Sequence, residues 1–287
     1  MTAPLALLVE QELAQAVDPR VTAMAQAIAD RHGAVSRAVL FYGSCLRERQ
    51  LDGLMLDFYL IVSDYRAAYE KGWMARANAL VPPNVFPFEH DGLAAKYAVL
   101  SEADFTRLNG PRTRNVSVWA RFAQPSRLVW ASDDGARARA IAAIARAAPT
   151  LLGAAGRIAG EEPLDWWRRA FALTYSAELR AERKARSGSV VDSDPDRYRH
   201  FSAPAIAAID ASAPSGGWVR RRVEGKALSV VRLAKASATY AGGIDYIAWK
   251  INRHAGTRIV IKPWQRKHPL LAAISLLPRL LRSGAVR

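Results

Sequence analysis

Two apolar segments near the N-terminus predict adjacent buried strands. Residues 38–42 form a short apolar run that ends at Gly43-Ser44, a pair typical of a tight turn. Residues 54–62 form a longer apolar run that carries a single carboxylate, Asp57. Because an unpaired carboxylate is costly to bury, Asp57 is expected to have a partner. A divalent metal is the usual partner beside a Gly-Ser turn.

The rest of the chain alternates predicted strands with helices and then becomes mainly helical. Ser101 is expected to cap one helix. Residues 187–196 are expected to form a polar loop with three acids. These acids could bind a metal, but solvent-exposed acids without a metal are the favoured interpretation. The pattern predicts helices at 2–32, 64–80, 102–108, 136–153, 163–186, 200–209 and 225–241, and strands or extended segments at 38–42, 54–62, 86–91, 95–100, 127–130 and 258–261. This order predicts an α+β protein divided into domains 1–135 and 136–256 and a C-terminal segment, 257–287.

The composition is that of a folded and strongly basic protein. Hydrophobic residues make up 51% of the 287 residues, which excludes disorder on compositional grounds, and the formal net charge is +15. Such a charge predicts a polyanionic partner: nucleotide phosphates, nucleic acid or an anionic membrane surface. Cys45 is the only cysteine, which excludes an intramolecular disulfide and a thiolate metal cluster. We expect Cys45 to be a small buried residue.

The residues at the two ends of the chain bear on targeting and on membrane association. Residues 1–20 lack a basic n-region and contain three acids, so neither a secretory signal nor a mitochondrial presequence is expected. No apolar run reaches ~18–20 residues, so no membrane-spanning helix is expected. The use of Ala and Arg is typical of a bacterial cytoplasmic protein. Residues 268–282 combine apolar side chains with arginines, which fits a buried terminal helix and a membrane-surface helix equally well.

The Gly-Ser turn and Asp57 supply parts that nucleotidyl transfer needs. Glycine lets the backbone approach a triphosphate, and turn N–H groups together with the Ser44 hydroxyl can hold its oxygens. A carboxylate on the next strand would hold Mg²⁺, which neutralises charge on the transferred phosphate. This arrangement resembles the DNA polymerase β-like nucleotidyltransferases, which usually carry Asp-x-Asp on that strand. Here the pair would be Asp57 and Tyr59, or Met55 and Asp57. The alternative for this stretch is a plain turn followed by a strand-end aspartate.

Several local patterns, taken in order, resemble one family: the mitochondrial translocator assembly and maintenance proteins, which are phosphatidate cytidylyltransferases. The family's Tyr-Gly-Ser is matched by residues 42–44. Its Met-Ile-Asp-Phe-Ile-Phe-Ala-Val is matched by residues 55–62, where the family also lacks a second aspartate. Its Lys-Tyr-Gly-Val-Ile strand is similar to residues 96–100, and its Leu-Ser-Tyr-x-Gly-Asp-x-Arg helix to residues 173–180. The chain departs from the family in having Ala177-Glu178 for Gly-Asp, and in lacking the Asn…His-Tyr-Ser segment after the second strand.

The resemblance implies an N-terminal nucleotidyltransferase domain, a mixed sheet flanked by helices, followed by a mostly helical, winged-helix-like domain and a basic amphipathic C-terminal helix. It implies that Asp57 and Lys96 are catalytic, with Asp57 binding Mg²⁺ and Lys96 neutralising phosphate charge. The residues implied to bind the nucleotide are Tyr42, Gly43, Ser44, Lys96, Tyr175 and Arg180. A further metal ligand is expected, because Mg²⁺ seldom rests on one carboxylate. Glu89, Asp52 and Glu178 are the candidates, with Glu178 as the working choice.

The substrates that the resemblance implies are CTP and phosphatidate or another lipid phosphate, with Mg²⁺ as cofactor. An enzyme of this kind would be cytoplasmic and peripheral on the inner face of a bacterial membrane. The residues expected to contact the membrane are Leu270, Leu271, Ile274, Leu277, Arg279 and Arg282.

Two other classes of function remain open at the level of sequence. The first is a nucleotidyltransferase of the same fold that modifies RNA or a small molecule, although no RNA-binding motif is visible and no nucleic-acid partner is expected. The second is a non-catalytic protein that binds nucleotides or membranes. The presence of Gly43, Ser44, Asp57 and Lys96 together favours an enzyme over the second alternative.

Overall fold

A computed structural model describes residues 4–48, 51–178, 190–239 and 261–264 of the chain. The protein is α+β, with a five-stranded mixed sheet flanked by helices, which confirms the predicted fold class at that level. The strands are β1 (Ser36–Tyr42), β2 (Met55–Val62), β3 (Asn84–His90), β4 (Leu93–Ser101) and β5 (Ser126–Ala131). The division at residue 135 and the winged-helix-like character of the second half stay predictions.

The strand order brings three predicted site residues side by side. The order is β3-β4-β2-β1-β5, in which β2 and β4 are parallel and all other neighbours are antiparallel. Asp57 on β2 is opposite Tyr42 on β1 and opposite Lys96 on β4. Because partners in register project from the same face of a sheet, these side chains form one row across three strands.

Each predicted helix is at least partly helical in the described chain, but several of the long ones are broken, and two short helices, 44–48 and 119–122, were not predicted. The described helices are α1 (Leu5–Leu13), α2 (Pro19–His32), α3 (Ser44–Glu48), α4 (Tyr65–Ala68), α5 (Gly72–Leu80), α6 (Glu102–Asn109), α7 (Trp119–Phe122), α8 (Asp134–Ala145), α9 (Ala147–Ala155), α10 (Pro163–Ala177), α11 (Pro195–Ala207) and α12 (Trp218–Thr239). A single turn of 3₁₀ helix, Gly33–Val35, leads into β1.

The breaks have local causes. The predicted helix over 2–32 is two helices, because Asp18 caps a new one by accepting from the Arg20 N–H at 2.9 Å and Pro19 occupies its first turn. The predicted helix over 136–153 is likewise divided at Arg146. Pro149 has no N–H to donate to the carbonyl four residues earlier, so one continuous helix would lose a hydrogen bond there.

Two further helix predictions needed correction. The predicted helix over 64–80 is α4 and α5, separated by residues 69–71. The predicted loop over 187–196 is wrong at its end: residues 190–192 are helical, and α11 begins at Pro195, five residues before the prediction. Asp194 caps this helix by accepting from the Arg197 N–H at 3.1 Å. The segments 218–222 and 225–241 belong to one helix, α12, as far as residue 239.

Each face of the sheet carries its own hydrophobic core. On one face, α2 and α5 cover Val39, Phe41 and Phe58. On the other face, Leu40, Tyr42 and Tyr59 pack into a larger core with residues from α1 and from α6 through α11. The row of Tyr42, Asp57 and Lys96 lies on this second face, against which helices from both halves of the chain pack.

Within the described parts of the chain, no helix is both long and apolar enough to cross a bilayer. The C-terminal residues predicted to bind a membrane, including Leu270 and Arg282, lie outside the described residues, as do Arg180 and most of the predicted strand at 258–261.

Candidate active site

Gly43 forms the corner that follows β1, and both its conformation and its surroundings require glycine. Its φ is +100°, a region that side chains with a Cβ rarely adopt. A Cβ atom at this position would lie 3.0 Å from Asp57 Oδ2. The backbone therefore passes directly over the Asp57 carboxylate before Ser44 begins the short helix α3. Cys45, which follows, is buried as expected and donates to the Met55 carbonyl through its Sγ at 3.6 Å.

Asp57 is paired with Lys96 across the parallel strands β2 and β4. The Lys96 Nζ lies 2.9 Å from Asp57 Oδ1, and the two side chains are 25% and 20% exposed. Asp57 is therefore a partly buried, ion-paired group, which is what the cost of burying a carboxylate requires. The partner that the structure shows is a lysine, whereas a metal was the expected one.

Arg121, which the sequence analysis did not single out, lies beside this row. It comes from the short helix α7, which is anchored over the sheet by Phe122, whose ring lies 5.2 Å from that of Tyr59. The Arg121 guanidinium lies over the Tyr42 ring at 5.1 Å, and its Nη1 donates to the Tyr42 hydroxyl at 3.4 Å. Burial opposes the Arg121 charge, but the oxygens of the neighbouring tyrosines and carboxylates raise its pKa overall. Arg121 therefore stays cationic.

Tyr42 and Tyr59 lie on the sheet next to Arg121. Both are almost fully buried, and their ring centroids are 5.3 Å apart. Burial raises the pKa of both phenols, so both are neutral donors at physiological pH. The predicted contact of Tyr42 with a nucleotide stays a prediction.

Helix α12 adds two further cations, Arg232 and Lys235. Arg232 donates to the Pro82 carbonyl at 2.6 Å and to the Ser117 hydroxyl at 2.9 Å. Lys235 donates to the carbonyls of Val81 and, at 2.8 Å, Pro83. Burial lowers the pKa of Arg232, and burial together with the Arg232 charge lowers the pKa of Lys235 to about 7.

Glu178 is brought towards the same cluster from the end of α10. Its negative charge acts on Tyr59, Arg121 and Arg232, which places it in the electrostatic neighbourhood of the site. Tyr175, on the preceding turn of α10, packs against the core on this face of the sheet. Glu178 and Asp57 thus act electrostatically on the same tyrosine and the same arginine, and the roles of Glu178 and Tyr175 stay predictions.

The other two metal-ligand candidates lie elsewhere. Asp52 is exposed and pairs with Arg20 at 2.9 Å. Glu89 projects from the same sheet face as Asp57, but it is exposed at the edge strand β3, opposite Ala94. In the described residues no three His, Cys, Asp or Glu side chains are grouped so that they could hold a metal. A Mg²⁺ ion fits Asp57 only if a polyphosphate supplies most of the remaining oxygen ligands, which is common for this ion.

The acidic loop residues have other partners. Asp192 pairs with Arg168 at 2.8 Å, and Asp196 pairs with Arg199 at 2.6 Å. Together with the capping role of Asp194, these contacts account for all three acids by local structure.

No protein-family model matches the chain, and no curated protein sequence matches it. The resemblance to the translocator assembly and maintenance family therefore stays a prediction.

Proposed function

We propose that the protein is a Mg²⁺-dependent nucleotidyltransferase that transfers CMP from CTP to a lipid phosphate, phosphatidate foremost, with release of pyrophosphate. The observation that carries this proposal is the close approach of the Gly43 backbone to Asp57 Oδ2, while Asp57 Oδ1 pairs with Lys96. Binding of a nucleoside triphosphate with Mg²⁺ uses three kinds of group: backbone N–H groups at a turn, a carboxylate for the metal and a cation for the phosphates. Gly43, Asp57 and Lys96 would supply them at one point of the sheet.

The proposed nucleotide site uses the end of β1. The Gly43-Ser44 backbone and the Ser44 hydroxyl would hold the triphosphate, because Gly43 has no side chain of its own to keep phosphate oxygens away from the backbone N–H groups. Lys96 would exchange its contact with Asp57 for a phosphate oxygen. Asp57 would hold Mg²⁺ together with phosphate oxygens and Glu178, and the ion would supply charge neutralisation at the phosphates.

The proposed reaction needs no covalent enzyme intermediate. An oxygen of the acceptor phosphate attacks the α-phosphorus of CTP, and the bond from that phosphorus to the bridging oxygen of the β-phosphate breaks in line. Pyrophosphate leaves and CDP-diacylglycerol is the product. The residues of this chain contribute positioning and a cationic environment, which are the main terms available for such a transfer.

The choice of a lipid acceptor rests on the family resemblance and on charge. The formal net charge of +15 and the apolar, arginine-bearing residues 268–282 fit an enzyme that takes an acidic lipid from an anionic membrane. The proposed location is therefore peripheral, on the inner face of a bacterial membrane. A winged-helix-like second domain would complete the cleft on the side of α10 and α12.

The test is pyrophosphate release from CTP and Mg²⁺, with and without phosphatidate in mixed micelles. Release that requires both CTP and phosphatidate is the expected result. Release with an RNA or small-molecule acceptor but not with phosphatidate would replace the lipid reaction with another transfer by the same fold. If no nucleoside triphosphate binds at all, the enzymatic proposal is wrong and a non-catalytic function takes its place.

A further inference from the structure

Helix α12 turns apolar side chains outward, the reverse of an ordinary surface helix. Val219, Val223, Ala227 and Val230 follow one another at spacings of four, four and three residues, so they share one face of the helix. Val219 and Val223 are 71% and 66% exposed, Ala227 is exposed and Val230 is partly exposed. These four residues are called the outer row below.

The opposite face of α12 is basic and packs on the protein. Arg221 is buried and donates to three backbone carbonyls. Arg232 and Lys235 donate to carbonyls of the loop between α5 and β3. Gly225 lies so close to the end of α10 that a Cβ atom there would overlap the Ala177 carbonyl oxygen. These contacts fix the rotation of the helix about its axis, so the outer row cannot turn inward.

Two exposed cations border the outer row on one side. Arg222 and Lys226 lie one helical turn apart, and both side chains are exposed. Glu224 is the only acid in the sequence of α12, and it pairs with Arg114 at 2.8 Å and with Arg220 at 2.7 Å. The outward surface of α12 therefore combines an apolar centre with a positive margin.

We propose that the outward surface of α12 binds an anionic lipid bilayer and is a membrane-contact surface separate from residues 268–282. An apolar row bordered by Lys and Arg is the pattern of helices that lie in the headgroup region of a bilayer. The negative potential of an anionic bilayer attracts basic residues held near it. The inference rests on the proposed function for its peripheral location and adds the face of the fold that contacts the membrane.

Charge and size favour a bilayer over the apolar partners that this chain itself supplies. Residues 246–287 contain no acid and several Lys and Arg, so they would bring like charges against Arg222 and Lys226. A second copy of α12 would bring the same cations. A stable dimer also buries about 800 Å² on each partner, which is more than one row of valines and an alanine offers. An anionic bilayer is the partner with the opposite charge.

The first experiment reads the environment of residue 223 directly. The Cys45→Ser change removes the only cysteine, and Val223→Cys is then labelled with bimane, a fluorophore that responds to solvent polarity. Vesicles of phosphatidylcholine and phosphatidylglycerol that contain a spin-labelled quencher lipid are added. Leu7→Cys in the same background is the matched control, because Leu7 is a 42% exposed apolar residue on α1. We expect a blue shift and quenching at residue 223 and neither at residue 7.

The second experiment tests the positive margin by vesicle flotation. Arg222→Gln/Lys226→Gln is expected to weaken binding to vesicles that contain phosphatidylglycerol by about tenfold or more. Arg66→Gln/Arg137→Gln is the matched control, because it removes two exposed arginines from α4 and α8 and changes the net charge equally. The control is expected to bind these vesicles close to wild type.

Three results would overturn the inference. If the label at residue 223 stays exposed to water on bound vesicles, the protein binds them through another surface. If the label is already shielded without lipid, the chain's own residues cover α12, or a second copy covers it where the shielding grows with protein concentration. Equal losses of vesicle binding in the two double variants would show that total charge alone decides binding.

Neither experiment needs turnover, so its failure is distinct from failure of the proposed function. If residue 223 enters the bilayer but phosphatidate and CTP give no pyrophosphate, the contact surface stands and the transferase proposal fails. If pyrophosphate is released while residue 223 stays exposed to water on the vesicles, the transferase proposal stands and this inference fails. Thermal melting checks that each variant is folded. Should Val223→Cys not fold, Ala227→Cys on the same row takes its place with the same expected result.

Discussion

A Cβ atom on Gly43 would lie 3.0 Å from Oδ2 of Asp57. The strand-end corner and the strand carboxylate are therefore packed as one unit, fixed by the register that sets Tyr42 opposite Asp57. Any side chain at residue 43 must displace this carboxylate, and with it the contact to Lys96. A substitution at residue 43 would therefore change both the backbone conformation of this corner and the position of the Asp57 carboxylate.

Gly43→Ala is predicted to damage both stability and activity. The φ of +100° and the contact with Asp57 together should lower the free energy of unfolding by about 1–3 kcal/mol. Gly53→Ala is the matched control, since Gly53 also has a positive φ, +74°, but a Cβ there would have nothing within 4 Å. Chemical denaturation and pyrophosphate release measure the two effects. Equal losses in both variants would show that the contact with Asp57 has no consequence.

The buried pair of Glu12 and Arg197 is predicted to be a major structural link between α1 and α11. Both side chains are under 10% exposed, and a second hydrogen bond joins Arg197 Nη2 to Glu12 Oε1 at 3.0 Å. Glu12→Gln should lower the free energy of unfolding by about 3–5 kcal/mol, because it leaves a buried cation without its partner. The double variant Glu12→Gln/Arg197→Met should lose less than the sum of the single losses. Additive losses in denaturation would contradict the coupling.

Lys235 is predicted to make stability depend on pH in the alkaline range. The folded-state pKa is about 7, because burial and the charge of Arg232 disfavour the cation, whereas the unfolded chain keeps the proton up to about 10.5. Between pH 7 and 10.5 the unfolded state binds more protons than the folded state, so the free energy of unfolding rises with pH. Below pH 7 Lys235 is charged in both states, and the folded state is destabilised by the buried charge. The free energy of unfolding of wild type should therefore rise relative to Lys235→Met between pH 7 and 10.

A matched variant separates this titration from the loss of a lysine as such. Lys226→Met removes an exposed lysine from the same helix and is measured over the same pH range. A wild-type stability that keeps a constant offset from Lys235→Met across that range would contradict the lowered pKa.

Deletion of residues 268–287 is predicted to weaken binding to anionic liposomes while leaving CTP binding intact. Each arginine held near an anionic surface contributes about 1 kcal/mol, and the apolar residues between them add buried area. Flotation with phosphatidate-containing vesicles measures the effect, and Arg279→Gln/Arg282→Gln tests the charge component alone. Unchanged liposome binding by the deletion variant would assign this segment to packing.

The sequence was sufficient for the parts of the site that are local. The apolar runs of β1, β2 and β4 were visible in the pattern, and Gly43 and Asp57 follow from the residue types at their ends. Two of the helix breaks also had local signals that the periodicity masked, since Asp18-Pro19 is a typical helix start and Pro149 cannot continue a helix smoothly.

The rest of the site depends on tertiary structure. The contact of Lys96 with Asp57 exists because β4 pairs with β2 in parallel register, and no local pattern specifies that order. Arg121 lies on a four-residue helix, and Arg232 reaches Ser117 across 115 positions of sequence. Arginines in a chain with this many basic residues carry no signal of their own until the fold shows which of them lie beside the row of Tyr42, Asp57 and Lys96.

The most direct test of the proposed function compares Asp57→Asn with Asp133→Asn in the phosphatidate-dependent release of pyrophosphate from CTP. Asp133 caps α8 from a site away from the sheet row, and asparagine also caps helices, so this control removes a carboxylate without removing its structural role. The account predicts that Asp57→Asn reduces release by about 100-fold or more while Asp133→Asn stays near wild type. Full activity in a folded Asp57→Asn variant would contradict the assignment of this carboxylate to the active site.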